Sequence, residues 1–174
     1  QAEDGIRDVE RSRGLGDVYK RQDEDLLAHR ERKAGYIHAL SENSIKVNTE
    51  NIIYIDYLDR EIENKLERAL TLLKGCTAIF AYIDTIALQC MKVLRKIGLR
   101  VPDGISIIGV DNLWIGDYMD PSLTSIKQPL EEICQKSIDL IVDFMYKEDK
   151  EKEFGDKVIY CNLELIEKES VISI

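Results

Sequence analysis

The sequence predicts an α/β domain built on a parallel sheet. Short β-branched or apolar runs alternate with longer amphipathic stretches from residue 24 to residue 165. Two of those runs, TAIFAY (77–82) and GISIIGVD (104–111), read as strands covered on both faces. Strand and helix alternating at this pitch place neighbouring strands parallel, joined by right-handed crossovers.

Residues 1–22 stand apart from that pattern. They hold five acids and five bases, so the net charge of −9 comes entirely from residues 23–174. Gly5, Gly14 and Gly16 interrupt any helical period, and no alternation marks a strand. The segment resembles the translated adapter leader seen at the ends of assembled sequencing reads. It is expected to be a disordered, non-native leader, with a native flexible arm as the other reading. On either reading, protein upstream of residue 23 is expected to be missing.

Residues 24–43 form a predicted helix, with Leu27, Ala34, Ile37 and Leu40 at compatible spacings. NIIYID (51–56) is a short strand. Residues 59–74 repeat apolar side chains at Ile62, Leu66, Ala69, Leu70 and Leu73, one helical face, and Gly75 is a stop. After the strand 77–82, Asp84 or Thr85 caps a helix whose apolar positions are Ile86, Ala87, Cys90, Met91, Leu94 and Ile97. Gly98 ends it and Pro102 follows. The strand 104–111 is succeeded by a short one at 125–127. Pro129 sits at a first helical position. Leu130, Ile133, Cys134, Ile138, Ile141, Val142 and Met145 then mark a strongly amphipathic helix. A charged loop (148–157) leads to a final strand at 158–165.

Composition narrows the function. With 174 residues, 44% of them apolar and 33% charged, the chain is one globular domain or a piece of a larger protein, not a disordered segment. Its acidity makes it a poor nucleic-acid binder by itself. No apolar run approaches the ~18 residues that cross a bilayer, and the first thirty carry no secretory core. The four cysteines, Cys76, Cys90, Cys134 and Cys161, are far apart. They read as buried apolar groups in a reducing compartment, and no metal site or cofactor is expected.

Reaction motifs are missing: there is no GxSxG elbow, Walker loop or GxGxxG after a strand. His29 and His38 lie nine residues apart on one helix, on different faces. Ligands of open α/β sheets bind beyond the carboxyl ends of the strands, where Asp56, Asp84 and Asp111 stand. Each either accepts a hydrogen bond from a polar ligand or caps the turn that follows.

Three stretches in order, GLRVP (98–102), ISIIGVDN (105–112) and PSLTSIKQP (121–129), together with ERKAGYIHAL (31–40), resemble the C-terminal part of LacI/GalR-type transcriptional regulators. The likeness covers residues 24–172. It implies an incomplete α/β lobe of the periplasmic-binding-protein-like (type I) kind, a parallel sheet flanked by helices. Residues 23–127 would be the C-terminal lobe of an effector sensor. The helix in 128–150 would belong to an otherwise missing N-terminal lobe, and 151–174 would return to the C-terminal lobe. The spacing around residues 61–74 is also similar to arabinose-type repressors, which carry a GntR head, so two kinds of DNA-binding head stay open.

The same resemblance implies ligand contacts from Arg32, Tyr57, Asp111 and Gln128. It implies homodimer contacts from Leu88, Met91, Trp114 and Met119. Many members carry Asn before the aspartate that follows the third strand. Here Ile83 stands there, which removes one polar contact. The expected function is therefore a fragment of a cytoplasmic, non-enzymatic regulator that senses a sugar or related small effector and reaches DNA only through a missing domain. The alternatives are a periplasmic-type sugar-binding protein of a transport system and an α/β enzyme with an unrecognised carboxylate site.

Overall fold

The computed structural model describes residues 15–19, 27–55, 59–73, 75–146 and 158–172. Their order is β1 (Leu15–Tyr19), α1 (Leu27–Glu42), β2 (Ile52–Tyr54), α2 (Ile62–Leu72), β3 (Ala78–Ala81), α3 (Asp84–Lys96), β4 (Ser106–Val110), β5 (Thr124–Lys127), α4 (Leu130–Tyr146) and β6 (Glu164–Ile166). Single 3₁₀ turns occupy Thr49–Asn51 and Trp114–Tyr118. One six-stranded sheet runs β2-β1-β3-β4-β5-β6. All neighbours are parallel except β5 and β6, which pair antiparallel with Ser125 opposite Ile166 and Lys127 opposite Glu164.

Side chains of a strand alternate between faces, and this sorts the core. Ile79 and Ala81 of β3 join Leu66 and Leu70 of α2 and Ile86, Cys90 and Leu94 of α3 in the main cluster. Phe80 and Tyr82 turn the other way, onto Tyr36 and Leu40 of α1 and Ile52 of β2. The sheet is thus covered on both faces where its strands are most apolar. Helices α2 and α3 pack together, and α3 lies against β3 and β4. On their outer edge Lys92 pairs with Glu63 and Lys96 with Glu67, each at 2.6 Å.

Three expectations are corrected. Leu15–Tyr19, placed by the sequence in a disordered leader, forms β1 between β2 and β3, with Leu15 opposite Ala78 and Asp17 opposite Ile52. A parallel ladder is made by backbone groups, so Gly16 does not forbid it. The rest of residues 1–22 lies outside the described residues. The final strand is three residues, not eight: Val158, Tyr160 and Leu163 are exposed, and pairing to β5 begins only at Glu164. The parallel sheet expected from the sequence holds from β2 through β5, and β6 adds one antiparallel edge strand. Not all the cysteines are buried: Cys76 and Cys90 are, Cys161 is half-buried and Cys134 on α4 is exposed.

Helix α4 differs from the others. None of its residues is buried, and Leu130, Ile138, Ile141, Val142 and Met145 are all exposed. Its sequence is amphipathic, but its apolar stripe stays unburied: Ile133, Leu140 and Ile141 only line an open cleft with Ile159, Tyr160 and Leu163.

Candidate functional site

Strand β4 ends at Val110 because the next two residues leave the extended region. Asp111 has φ 109° and Asn112 φ 49°. Such left-handed conformations cost non-glycine residues about 1–3 kcal/mol and persist only where surrounding groups hold them. Four hydrogen bonds do so. The Asp111 amide donates to the Ile126 carbonyl at 2.9 Å. The Asn112 amide donates to Ser125 Oγ at 3.0 Å. Ser125 Oγ in turn donates to Asp84 Oδ1 at 2.6 Å, and the Leu113 amide donates to Asp84 Oδ2 at 2.7 Å.

Asp84 was expected to cap α3. Instead its side chain leaves its own helix and reaches β5 and the turn after β4. It is 1% exposed. Burial holds its carboxyl above the usual carboxylate range, and the bonds from Ser125 and Leu113 oppose that rise. Room for the carboxylate comes from Gly109, where a Cβ would fall 2.1 Å from Asp84 Oδ1.

The turn directs Asp111 toward the end of β5, where Gln128 Nε2 donates to Asp111 Oδ1. Both residues line a cleft of ≈ 500 Å³, with Asn112, Lys127, Leu130 and Glu164 among its walls. Asn112 is held from behind. Lys168 Nζ donates to its Oδ1 at 2.9 Å and pairs with Asp117 Oδ1 at 2.6 Å. The segment carrying Lys168 is anchored by Ser170, which is wholly buried. Its amide donates to the Ser122 carbonyl at 2.9 Å and its hydroxyl to the Ile107 carbonyl at 2.7 Å.

Arg32 comes from α1 on the other side. Its Nη1 donates to the Tyr82 carbonyl at 2.8 Å, and its guanidinium carbon lies 4.4 Å from the centre of the Tyr82 ring. Phe80 pairs with Ile108, so Tyr82 and Asp111 leave the sheet at the carboxyl ends of adjacent strands. Arg32 and Asp111 therefore share that edge, although Arg32 is not among the walls of the cleft that holds Asp111 and Gln128. Tyr57 and Asp56 lie outside the described residues.

The residues expected at a dimer contact are divided. Met91 is 6% exposed and belongs to the core, against which Leu88 and Met119 are half-buried. All three line a second cleft of ≈ 750 Å³ shared with Arg95 and Arg100. Trp114 is 72% exposed and meets Tyr118 edge-to-face at 5.8 Å.

Sequence reasoning missed Ser125, Lys168 and the true partners of Asp84. The available signal was local: an aspartate opens the helix after one buried strand, and a glycine interrupts the apolar run of the next. Tyr82 as the stacking surface for Arg32 was also missed, because residues 50 apart leave no spacing to read.

Comparison with known proteins follows the same outline. A profile of the periplasmic binding protein-like domain matches residues 10–171. The HTH-type transcriptional regulator MalR of Clostridium butyricum is 33% identical over 161 residues, 92% of this chain and 45% of that protein. A sugar-binding LacI-family regulator from Escherichia coli, solved with phosphate, superposes with a TM-score of 0.75 at 25% identity, covering 97% of this chain and 59% of that one. A LacI-family regulatory protein from Chloroflexus aggregans gives 0.76 at 26%, covering 97% and 58%. The chain spans about half the length of the curated relatives it matches. Among the described residues no helix is long and apolar enough to cross a membrane. A domain match over residues 10–171 makes this chain a member of the periplasmic binding protein-like domain family, and it is similar to HTH-type and LacI-family transcriptional regulators.

Proposed function

We propose that this chain is the effector-sensing part of a cytoplasmic transcriptional regulator, and that its effector is a sugar or a similar small polar molecule. The observation that carries this reading is the Asp111–Gln128 hydrogen bond beside the ≈ 500 Å³ cleft. A carboxylate and a carboxamide fixed side by side present acceptors and a donor to ligand hydroxyls. Arg32 contributes from the same sheet edge once ligand competes for its donors. The regulators among its relatives favour this over a transport protein, and no step of the reading needs catalysis.

In the mechanism, the chain crosses a hinge near residues 124–129. Helix α4 packs into a second lobe, which explains an amphipathic helix with no buried residue. Effector between the lobes favours closure, and closure alters how a homodimer, joined through the Leu88, Met119 and Trp114 surface, presents DNA-binding heads. Such coupling is typically ~1–3 kcal/mol. DNA contact belongs to a separate domain.

The test is calorimetric titration of the intact gene product with D-glucose, D-ribose, maltose and cellobiose. Binding of one of them is expected. Asp111→Ala and Arg32→Ala should each weaken it by about 1.5–3 kcal/mol, the usual worth of a charged hydrogen bond. Unchanged affinity in both variants removes the site.

A further inference from the structure

We propose that Asp84 is the positioning residue of the ligand cleft: through Ser125 and the Leu113 amide its carboxylate locks the left-handed Asp111–Asn112 turn and so sets the aim of Asp111 at Gln128. The proposal rests on the reading that this cleft receives the effector. It adds a residue that touches no ligand yet fixes the two that do.

The argument starts from what a buried carboxylate needs. An ion with 1% exposure is tolerated only where donors surround it. A carboxylate at the start of a helix ordinarily finds them in the amides of that helix. Asp84 makes no such bond; its two donors, Ser125 Oγ and the Leu113 amide, lie 41 and 29 residues away. One sits on β5, three residues before Gln128. The other ends the turn that begins at Asp111.

Ser125 extends the reach, because the same oxygen that donates to Asp84 accepts the Asn112 amide at 3.0 Å. Three consecutive amides, of Asp111, Asn112 and Leu113, are therefore held by β5 or by Asp84. That accounts for an Asp and an Asn in the left-handed region. It also explains Gly109, where a Cβ would stand 2.1 Å from Asp84 Oδ1 and block the carboxylate. A polar group that merely filled the core would not need to join the turn after β4 to strand β5.

The experiment compares Asp84→Asn, Ser125→Ala and Ser125→Thr in the intact gene product, by amide hydrogen exchange and by titration with the same four sugars. Asp84→Asn and Ser125→Ala should release the Asn112 and Leu113 amides at least about tenfold while β3 amides keep their protection. They should lower sugar affinity about tenfold. Ser125→Thr keeps the hydroxyl and should retain both properties. A double variant carrying Asp84→Asn and Ser125→Ala should bind no more weakly than the weaker of those two singles, because both changes break one chain of bonds. Unchanged exchange at Asn112 and Leu113, or a uniform loss across β3, β4 and β5, overturns the proposal. If Asp84→Asn does not fold, Ser125→Ala and Ser125→Thr decide. If none of the sugars binds the parent protein, the effector reading fails, and the exchange comparison still decides whether Asp84 locks the turn.

Discussion

Gly109 shows how one missing atom shapes the site. Its Cβ would stand 2.1 Å from Asp84 Oδ1 and 3.3 Å from Asp84 Cα. The carboxylate cannot retreat without leaving Ser125 and Leu113, and the backbone of α3 cannot retreat without opening the core. Gly109→Ala should therefore destabilise the domain by about 1–3 kcal/mol, as overpacking does, read as a lower urea midpoint. A full retention of stability would mean that Asp84 is free to move. The cysteines give a second residue-scale test. Cys90 is completely buried and its thiol is pushed up to about 12 by desolvation, whereas Cys134 is exposed. Only a thiolate attacks a disulfide reagent. Cys134 should react with DTNB in the native protein and Cys90 only after unfolding. Both outcomes were half legible in sequence. Apolar spacing marks Cys90 as core, but the same spacing also marks Cys134, and spacing does not say whether the facing layer is present.

That distinction governs the elements. Strands and helices whose partners lie within the chain were readable: the runs 77–82 and 104–111 contain β3 and β4, and the periodic stretch 59–74 contains α2. The errors fall where partners decide. Residues 158–163 have the β-branched and aromatic content of a strand but no edge to pair with, so only Glu164–Ile166 is one. Leu15–Tyr19 lacks alternation yet is a strand because β2 and β3 leave a slot between them. Cross-strand partners of the site, such as Asp84 with Ser125, depend on this topology; an aspartate at a helix start and a glycine in the next strand hint at a close approach but do not name the partner. For α4 the consequence is measurable. Ile141→Ala should change the stability of this chain by less than about 0.5 kcal/mol, as an exposed position does. Leu66→Ala, at a site with no exposure, should cost about 2–5 kcal/mol. Chemical denaturation distinguishes the two. A large loss at Ile141 would mean that the helix already packs against this domain.

For the molecule as a whole, charge argues against DNA contact by this chain. The chain carries −9, and duplex affinity rests on neutralising phosphates with lysine and arginine. Several cations that might do this are engaged elsewhere: Lys92 and Lys96 with Glu63 and Glu67, Lys136 with Glu132, Lys168 with Asp117. The cleft itself is lined by Asp111, Glu131, Glu132 and Glu164 against one lysine, Lys127, a wall that favours neutral hydroxyl-bearing ligands over phosphorylated ones. The isolated chain should therefore give no change in the anisotropy of a labelled duplex even at about 50 mM salt, where phosphate contacts are strongest. Glucose should bind the intact gene product more tightly than glucose 6-phosphate if glucose is the sugar it takes. Duplex binding that weakens steeply with added salt would show a basic face that the acidic total conceals, and would move DNA recognition onto the sensor itself.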